Sequence, residues 1–199
     1  MLLADVETLP RIAGPRIELR AITADDTEAI YRLFSDRQVM RFLTSPPLED
    51  RAAARRLIAE LDELRRLRLA FHWGVARRDS TDLIGTCTLH NVRAGHLRAE
   101  VGFALRPGEW GCGLGSEVLT ALCRYAFEEL ELHRLEADAD PNNARCIRLL
   151  ERHGFACEGV MRERWHQDGE GRDALFFGLL RRDFRATATP GLEALQAEG

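Results

Sequence analysis

"EWGCGLGSEV", residues 109–118, is the stretch on which the reading of this chain turns. Gly111, Gly113 and Gly115 alternate here between a strand-like stretch and a helical one. Downstream, Val118, Leu119, Leu122, Cys123, Ala126, Phe127 and Leu130 keep the spacing of one buried helix face. A helix start carries unpaired N–H groups and a partial positive charge. Glycines at that point let the backbone close around phosphate oxygens, so one reading is a pyrophosphate site. The other is a glycine-rich turn that only joins strand to helix. A Walker loop is excluded, because Ser116 and Glu117 follow Gly115 where Lys would be needed. A dinucleotide fingerprint beginning at Gly111 would need Gly or Ala at 116 and an alternating βαβ sheet.

The flanking segments supply a meander instead. "AFHWGVARR" (70–78), "LIGTCTLHNV" (83–92) and "RAEVGFALRP" (98–107) read as three antiparallel strands separated by turn residues. Upstream, "RIELRAI" (16–22) alternates as a strand, and Thr23 is placed to cap a helix carrying Ala29, Ile30, Leu33 and Phe34. Residues 49–68 read as a second helix, with Leu57, Ile58, Leu61 and Leu64 on one face. Beyond the glycines, "HRLEADAD" (133–140) is a strand. "PNNARCIRLLERHGF" is a short helix capped by Asn142 or Asn143 and closed by Gly154. Strands near 155–162 and 174–182 flank a turn at 166–173. The expected organisation is a loose leader over 1–15, one domain over 16–185 and a flexible tail over 186–199.

Bulk properties limit the function classes. A chain of 199 residues with 45% hydrophobic and 30% charged residues suits one ordinary globular domain. A net charge of −4 offers no footprint for nucleic acid, and no apolar run suggests a membrane span. The five cysteines, Cys87, Cys112, Cys123, Cys146 and Cys157, form no CxxC pair, so neither a metal site nor a disulfide framework is expected. That usage fits a reducing compartment, and the cytoplasm is the expected location.

"EVGFALRPGEWGCGLGSEVL" followed by "NNARCIRLLERHGFACEGVMRE" resembles the GNAT N-acetyltransferases. The Rim-type branch, which acetylates ribosomal-protein N-termini, is the most similar, and "DGEGRDALFFGLLRRDF" fits it as well. The likeness spans about residues 16–184. It implies an α/β (α+β) fold, the GNAT fold, with a mixed, mostly antiparallel twisted sheet of about six to seven strands and helices on both faces. It also implies acetyl-CoA as co-substrate and no metal. Backbone amides of Gly111, Cys112, Gly113, Leu114, Gly115 and Ser116 would hold the pyrophosphate. The strand Phe103, Ala104, Leu105 would splay from its neighbour near Leu135 and pair with the pantetheine arm. Trp110 matches the family's Trp-Gly loop and is expected to pack that loop against the core.

The reaction that the resemblance implies is direct attack of a neutral amine on the thioester. An α-amine titrates near pKa 8 and a lysine amine near 10.4, so an N-terminal acceptor demands less of a base. Glu100 is the first candidate base, with an ion pair to Arg98 or another Arg as its structural alternative. Glu163 is the second, with exposure beside Arg162 and Arg164 as its alternative. Cys146 stands where the family places Ser. Its thiol is a candidate proton donor to the departing thiolate, or a small buried residue on the helix face. Asn143 is a candidate for the pantetheine amide, or only a cap. Trp165 lines the acceptor site or stays a surface aromatic, and the six histidines read as structural or solvent-exposed. The partner expected is an amine-bearing acceptor, a protein or peptide N-terminus before a small-molecule amine, with the protein a monomer or homodimer. A non-catalytic acyl-CoA-binding module is the alternative from another class.

Overall fold

The computed structural model describes residues 9–185 apart from residue 168. The leader's first eight residues and the tail from 186 lie outside the described residues. Eight strands form one sheet in the order β1-β2-β3-β4-β5-β6-β8-β7. They are β1 (Ile12–Ala13), β2 (Ile17–Ala21), β3 (Ala70–Arg77), β4 (Leu83–Arg93), β5 (Arg98–Leu105), β6 (Arg134–Ala139), β7 (Ala156–Gln167) and β8 (Glu170–Leu180). All pairings are antiparallel except β5 with β6. The helices are α1 (Thr27–Ser35), α2 (Arg37–Met40), α3 (Arg51–Arg66), α4 (Leu114–Arg124) and α5 (Ala144–Arg152).

The mixed, mostly antiparallel sheet with helices on both faces is the architecture that the resemblance implied. The eighth strand is β1, which falls in the stretch read as a loose leader. Its two residues pair with Leu19 and Glu18, and the Trp73 indole N–H donates to the Pro10 carbonyl at 3.1 Å. A two-residue strand has no periodicity to read, and only its contacts with β2 and β3 define it. The β7–β8 turn is also tighter than the 166–173 span expected. Gln167 faces Glu170 in register, and Gly169 supplies the positive φ of +83° that a short hairpin turn requires.

Alternation along the strands divides the core. Trp73, Val75, Leu89, Val101 and Leu105 face Leu114, Val118, Leu119 and Leu122 of α4, and Cys146, Ile147 and Leu149 of α5 pack against the same cluster. On the other face Ala76 and Leu83 meet Ala29 and Ile30 of α1 and Ala54 of α3. Each fully buried Leu, Ile or Phe contributes about 1.5–3 kcal/mol by leaving water. Helix α1 begins one turn later than its expected cap: Ala24–Asp26 form a 3-10 turn, and Asp26 closes a capping box with Thr23. Asp26 also takes two hydrogen bonds from the Arg20 guanidinium, at 2.7 and 2.9 Å. The helix expected at 49–68 is α3, opened by Asp50 accepting from Ala53 N–H at 2.7 Å. The second helix of the chain is instead the single turn α2.

Candidate active site

Strand β5 is paired with β4 continuously from Glu100 to Leu105, and again at Arg98 beyond an irregularity in β4. Its pairing with β6 covers only Arg98–Glu100 against Arg134–Glu136. Beyond Glu136 strand β6 stays paired only with β8, so the β6-facing backbone of β5 has no strand partner from Val101 to Leu105. The sheet therefore opens along Phe103, Ala104 and Leu105. The parting starts after Glu136, because Leu135 is still paired with Ala99. The far end of the gap is bounded by Trp110, whose indole N–H donates to the Leu105 carbonyl at 2.7 Å. Trp110 is 36% exposed, and the Arg145 guanidinium stands over its ring.

Past this gap the chain enters α4 through the glycines. Gly111 and Gly113 hold φ values of +80° and +86°, where an L side chain is strained. A Cβ at Gly111 would meet nothing within 4 Å. Among the described residues, the N–H groups of Gly111, Cys112, Gly113, Leu114 and Gly115 have no hydrogen-bond partner. Successive free N–H groups at a helix start form an anion-binding concavity, so the loop fits a diphosphate. Ser116 differs from its neighbours. Its N–H donates to the Gly113 carbonyl at 3.0 Å, and its hydroxyl lies 3.0 Å from Nε2 of the buried His153. His153 also contacts Thr120 at 3.2 Å and the Leu149 carbonyl through Nδ1 at 2.9 Å, so it pins the first turns of α4 to α5.

Helix α5 carries the other two coenzyme candidates. The Asn143 side-chain oxygen accepts from Cys146 N–H at 3.2 Å, so Asn143 serves as the cap of α5. Cys146 is half-buried against the main core cluster. Burial, reinforced by the negative charge of Asp138, pushes its thiol up to about 11. It stays protonated at neutral pH, a hydrogen-bond donor that gives up its proton less readily than an ordinary thiol.

Glu100 occupies the last position of β5 that pairs with β6 and is buried. Its expected structural partner, Arg98, instead pairs with Glu136. Glu100 receives a hydrogen bond from His90 across the β4–β5 ladder, with Nε2 and Oε2 3.3 Å apart. That bond, with contributions from Asn91 and Arg164, holds the Glu100 carboxyl below its usual range. Nearby, Asp138 on β6 lies 3.6 Å from Arg164 of β7. Burial first, then the Glu100 charge, raise the Asp138 carboxyl. Two carboxylates, a histidine, an arginine and a thiol thus converge where the sheet opens.

His72, Thr88 and His90 share one sheet face, since His72 pairs with Thr88 and His90 with Glu100. Together with Leu64, Leu69, Ala70 and Asn91 they line an open hollow of about 420 Å³ beside α3. Burial, aided by His90, pushes His72 down to about 4 and keeps its ring neutral at working pH. Asp138 was not singled out in the sequence, and His72 and His90 were read only as structural or solvent-exposed; the β4–β5 register that sets His90 beside Glu100 is not legible in either strand alone. Glu163 lies apart from this convergence in character. It is exposed on a bulge of β7 with φ +49°, its N–H donating to Asp173 at 2.8 Å. Trp165 is half-buried beneath the Arg164 guanidinium.

Among the described residues no group of three His, Cys, Asp or Glu side chains is placed to hold a metal, and no helix is long and apolar enough to cross a membrane. A family profile described as "Acetyltransferase (GNAT) domain" matches residues 16–156. The uncharacterized N-acetyltransferase YoaA of Bacillus subtilis (strain 168) is 34% identical over 172 residues, 86% of this chain and 97% of its own length. The [ribosomal protein uS5]-alanine N-acetyltransferase of Escherichia coli (strain K12) is 33% identical over 132 residues, 66% of each chain. The solved structure of an acetyltransferase (GNAT family) from Bacillus anthracis superposes with a TM-score of 0.78 at 23% identity. That match covers 87% of this chain and 99% of the other.

Proposed function

The chain belongs to the GNAT acetyltransferase family as an N-acetyltransferase, and on that premise we propose that it acetylates the N-terminal α-amine of a protein or peptide. The proposed co-substrate is acetyl-CoA, which supplies an acetyl thioester open to direct amine attack in a ternary complex. The observation that carries this reading is the unpaired edge of β5 beside five unpartnered N–H groups at the start of α4. A diphosphate would sit on the amides of Gly111 to Gly115. A pantetheine arm would run along Phe103 and Ala104 as an added strand does.

Glu100 is the proposed proton acceptor for the attacking nitrogen, directly or through a water. Its carboxyl is ionised at neutral pH, with His90 fixing its orientation. So weak a base suits an amine that already loses its proton near pKa 8, and suits lysine poorly. The 33% sequence identity with a uS5-alanine N-acetyltransferase supports the same acceptor class. The Cys146 S–H would donate a hydrogen bond to the departing sulfur. Asp138 beside Glu100 favours an acceptor that arrives as a cation. A protein with this role works in the cytoplasm as a monomer or homodimer.

Thiol release from acetyl-CoA tests the proposal across two panels, short peptides with free N-termini and small amines that include polyamines. Turnover that depends on the first residues of a peptide is the expected result. Turnover with small amines alone moves the acceptor to the other class, and release with neither overturns the proposal.

A further inference from the structure

The proposed diphosphate loop is held from outside by a residue about a hundred positions earlier in the chain. Arg16, at the entry to β2, donates its backbone N–H to Oε2 of Glu117 at 3.0 Å and its Nε–H to Oε1 at 2.5 Å. One terminal guanidinium nitrogen donates to the Cys112 carbonyl at 2.9 Å. The same nitrogen would lie 3.2 Å from a Cβ built on Gly113, so the guanidinium lies against the loop. The Glu117 side chain is 5% exposed and that of Arg16 is 50% exposed.

Two consequences follow for an anion on this loop. A peptide unit is planar and trans, so its C=O and N–H point in opposite directions. Anchoring the Cys112 carbonyl on Arg16 therefore turns the Gly113 N–H to the opposite side, away from the guanidinium. Glu117 stands in the first turn of α4, where its buried negative charge would oppose the attraction of the helix terminus for phosphate. Arg16 neutralises that carboxylate and leaves half of its own cationic surface in solvent beside the loop. From this geometry we infer that Arg16 is a positioning residue for the coenzyme diphosphate, orienting the loop amides and cancelling Glu117. The inference rests on the acetyl-CoA reading of the loop given above.

Calorimetric titration of CoA into the wild type and the Arg16→Ala, Glu117→Gln and doubly substituted proteins tests it, alongside steady-state kinetics. Arg16→Ala should weaken CoA binding at least about tenfold, the scale of losing charge-assisted hydrogen bonds. Its kcat at saturating acetyl-CoA should stay within about twofold, since the same binding is lost from the ground state and the transition state. Adding Glu117→Gln to Arg16→Ala should recover several-fold of the affinity, because the stranded charge is gone. A purely structural strap predicts no such rescue. If Arg16→Ala does not fold, Arg16→Lys carries the test: it keeps the charge but cannot bridge both partners, and should bind CoA several-fold more weakly. Wild-type affinity in a folded Arg16 variant, or no rescue in the double variant, overturns the inference. Absence of CoA binding by the wild type overturns the coenzyme reading itself.

Discussion

Substituting Gly113 by Asn and by Asp separates the backbone requirement of the loop from its charge requirement. Gly113 caps α4 with φ +86°. Asn and Asp are the non-glycine residues that best tolerate that region, and they are nearly isosteric, so the conformational cost of about 1–2 kcal/mol is shared by both. Both place a Cβ 3.2 Å from the terminal nitrogen of Arg16, whose half-exposed charge offsets part of that of Asp, so the bare Coulomb cost of the Asp charge is an upper bound. The difference that remains is one negative charge. At about 5 Å from a phosphate and an effective dielectric constant of about 20, that charge costs about 3 kcal/mol. CoA should therefore bind the Asp variant up to about 100-fold more weakly than the Asn variant at low salt. Raising the ionic strength from about 0.01 M to 1 M shortens the screening length from about 30 Å to 3 Å and should narrow the gap. Isothermal titration of both variants at two salt concentrations measures it. Equal dissociation constants for Asn and Asp would refute the placement of a diphosphate at this loop.

Glu100→Gln should lower kcat about 100-fold with a peptide acceptor while leaving CoA binding unchanged, as measured by steady-state rates and calorimetry. In the wild type the depressed Glu100 carboxyl is already ionised at neutral pH, so the rate should rise toward pH 8 with deprotonation of the acceptor amine and then level off. Cys146, pushed up to about 11, stays protonated across that range and should add no break to the pH profile. Cys146→Ser should retain turnover and Cys146→Ala should lower it about tenfold with CoA affinity intact, the outcome of removing one hydrogen-bond donor. Equal turnover in both variants would reduce Cys146 to packing. Asp26→Asn should cost about 3 kcal/mol of stability, read by chemical denaturation, because it strands the Arg20 guanidinium behind the capping box. The Asp26 carboxyl is depressed in the fold, so its contribution is present above the unfolded value near 3.9 and is lost as pH falls through the folded one. The variant should lack that part of the acid-induced loss.

The amino-acid sequence by itself determined what short-range chemistry specifies. Alternating apolar residues set the strands of the meander, and a 3.6-residue spacing set α4. The glycine stretch marks the entry to α4, where Gly111 and Gly113 take positive φ, and of the two caps expected for α5, Asn142 or Asn143, the structure uses Asn143. Each of these depends on residues within a turn or so of one another, so a linear reading reaches them. The partnerships of the site were decided by tertiary structure alone. Glu100 meets His90 rather than Arg98 because of the β4–β5 register, and a shift of one residue would have turned either side chain to the other face. The charge of Asp138 acts on Cys146 because β6 leads into α5, and Arg16 reaches Glu117 because β2 enters the sheet beside the start of α4. Those encounters join residues eight to about a hundred positions apart, and they come from how the whole sheet packs against its helices, a property that no segment carries alone.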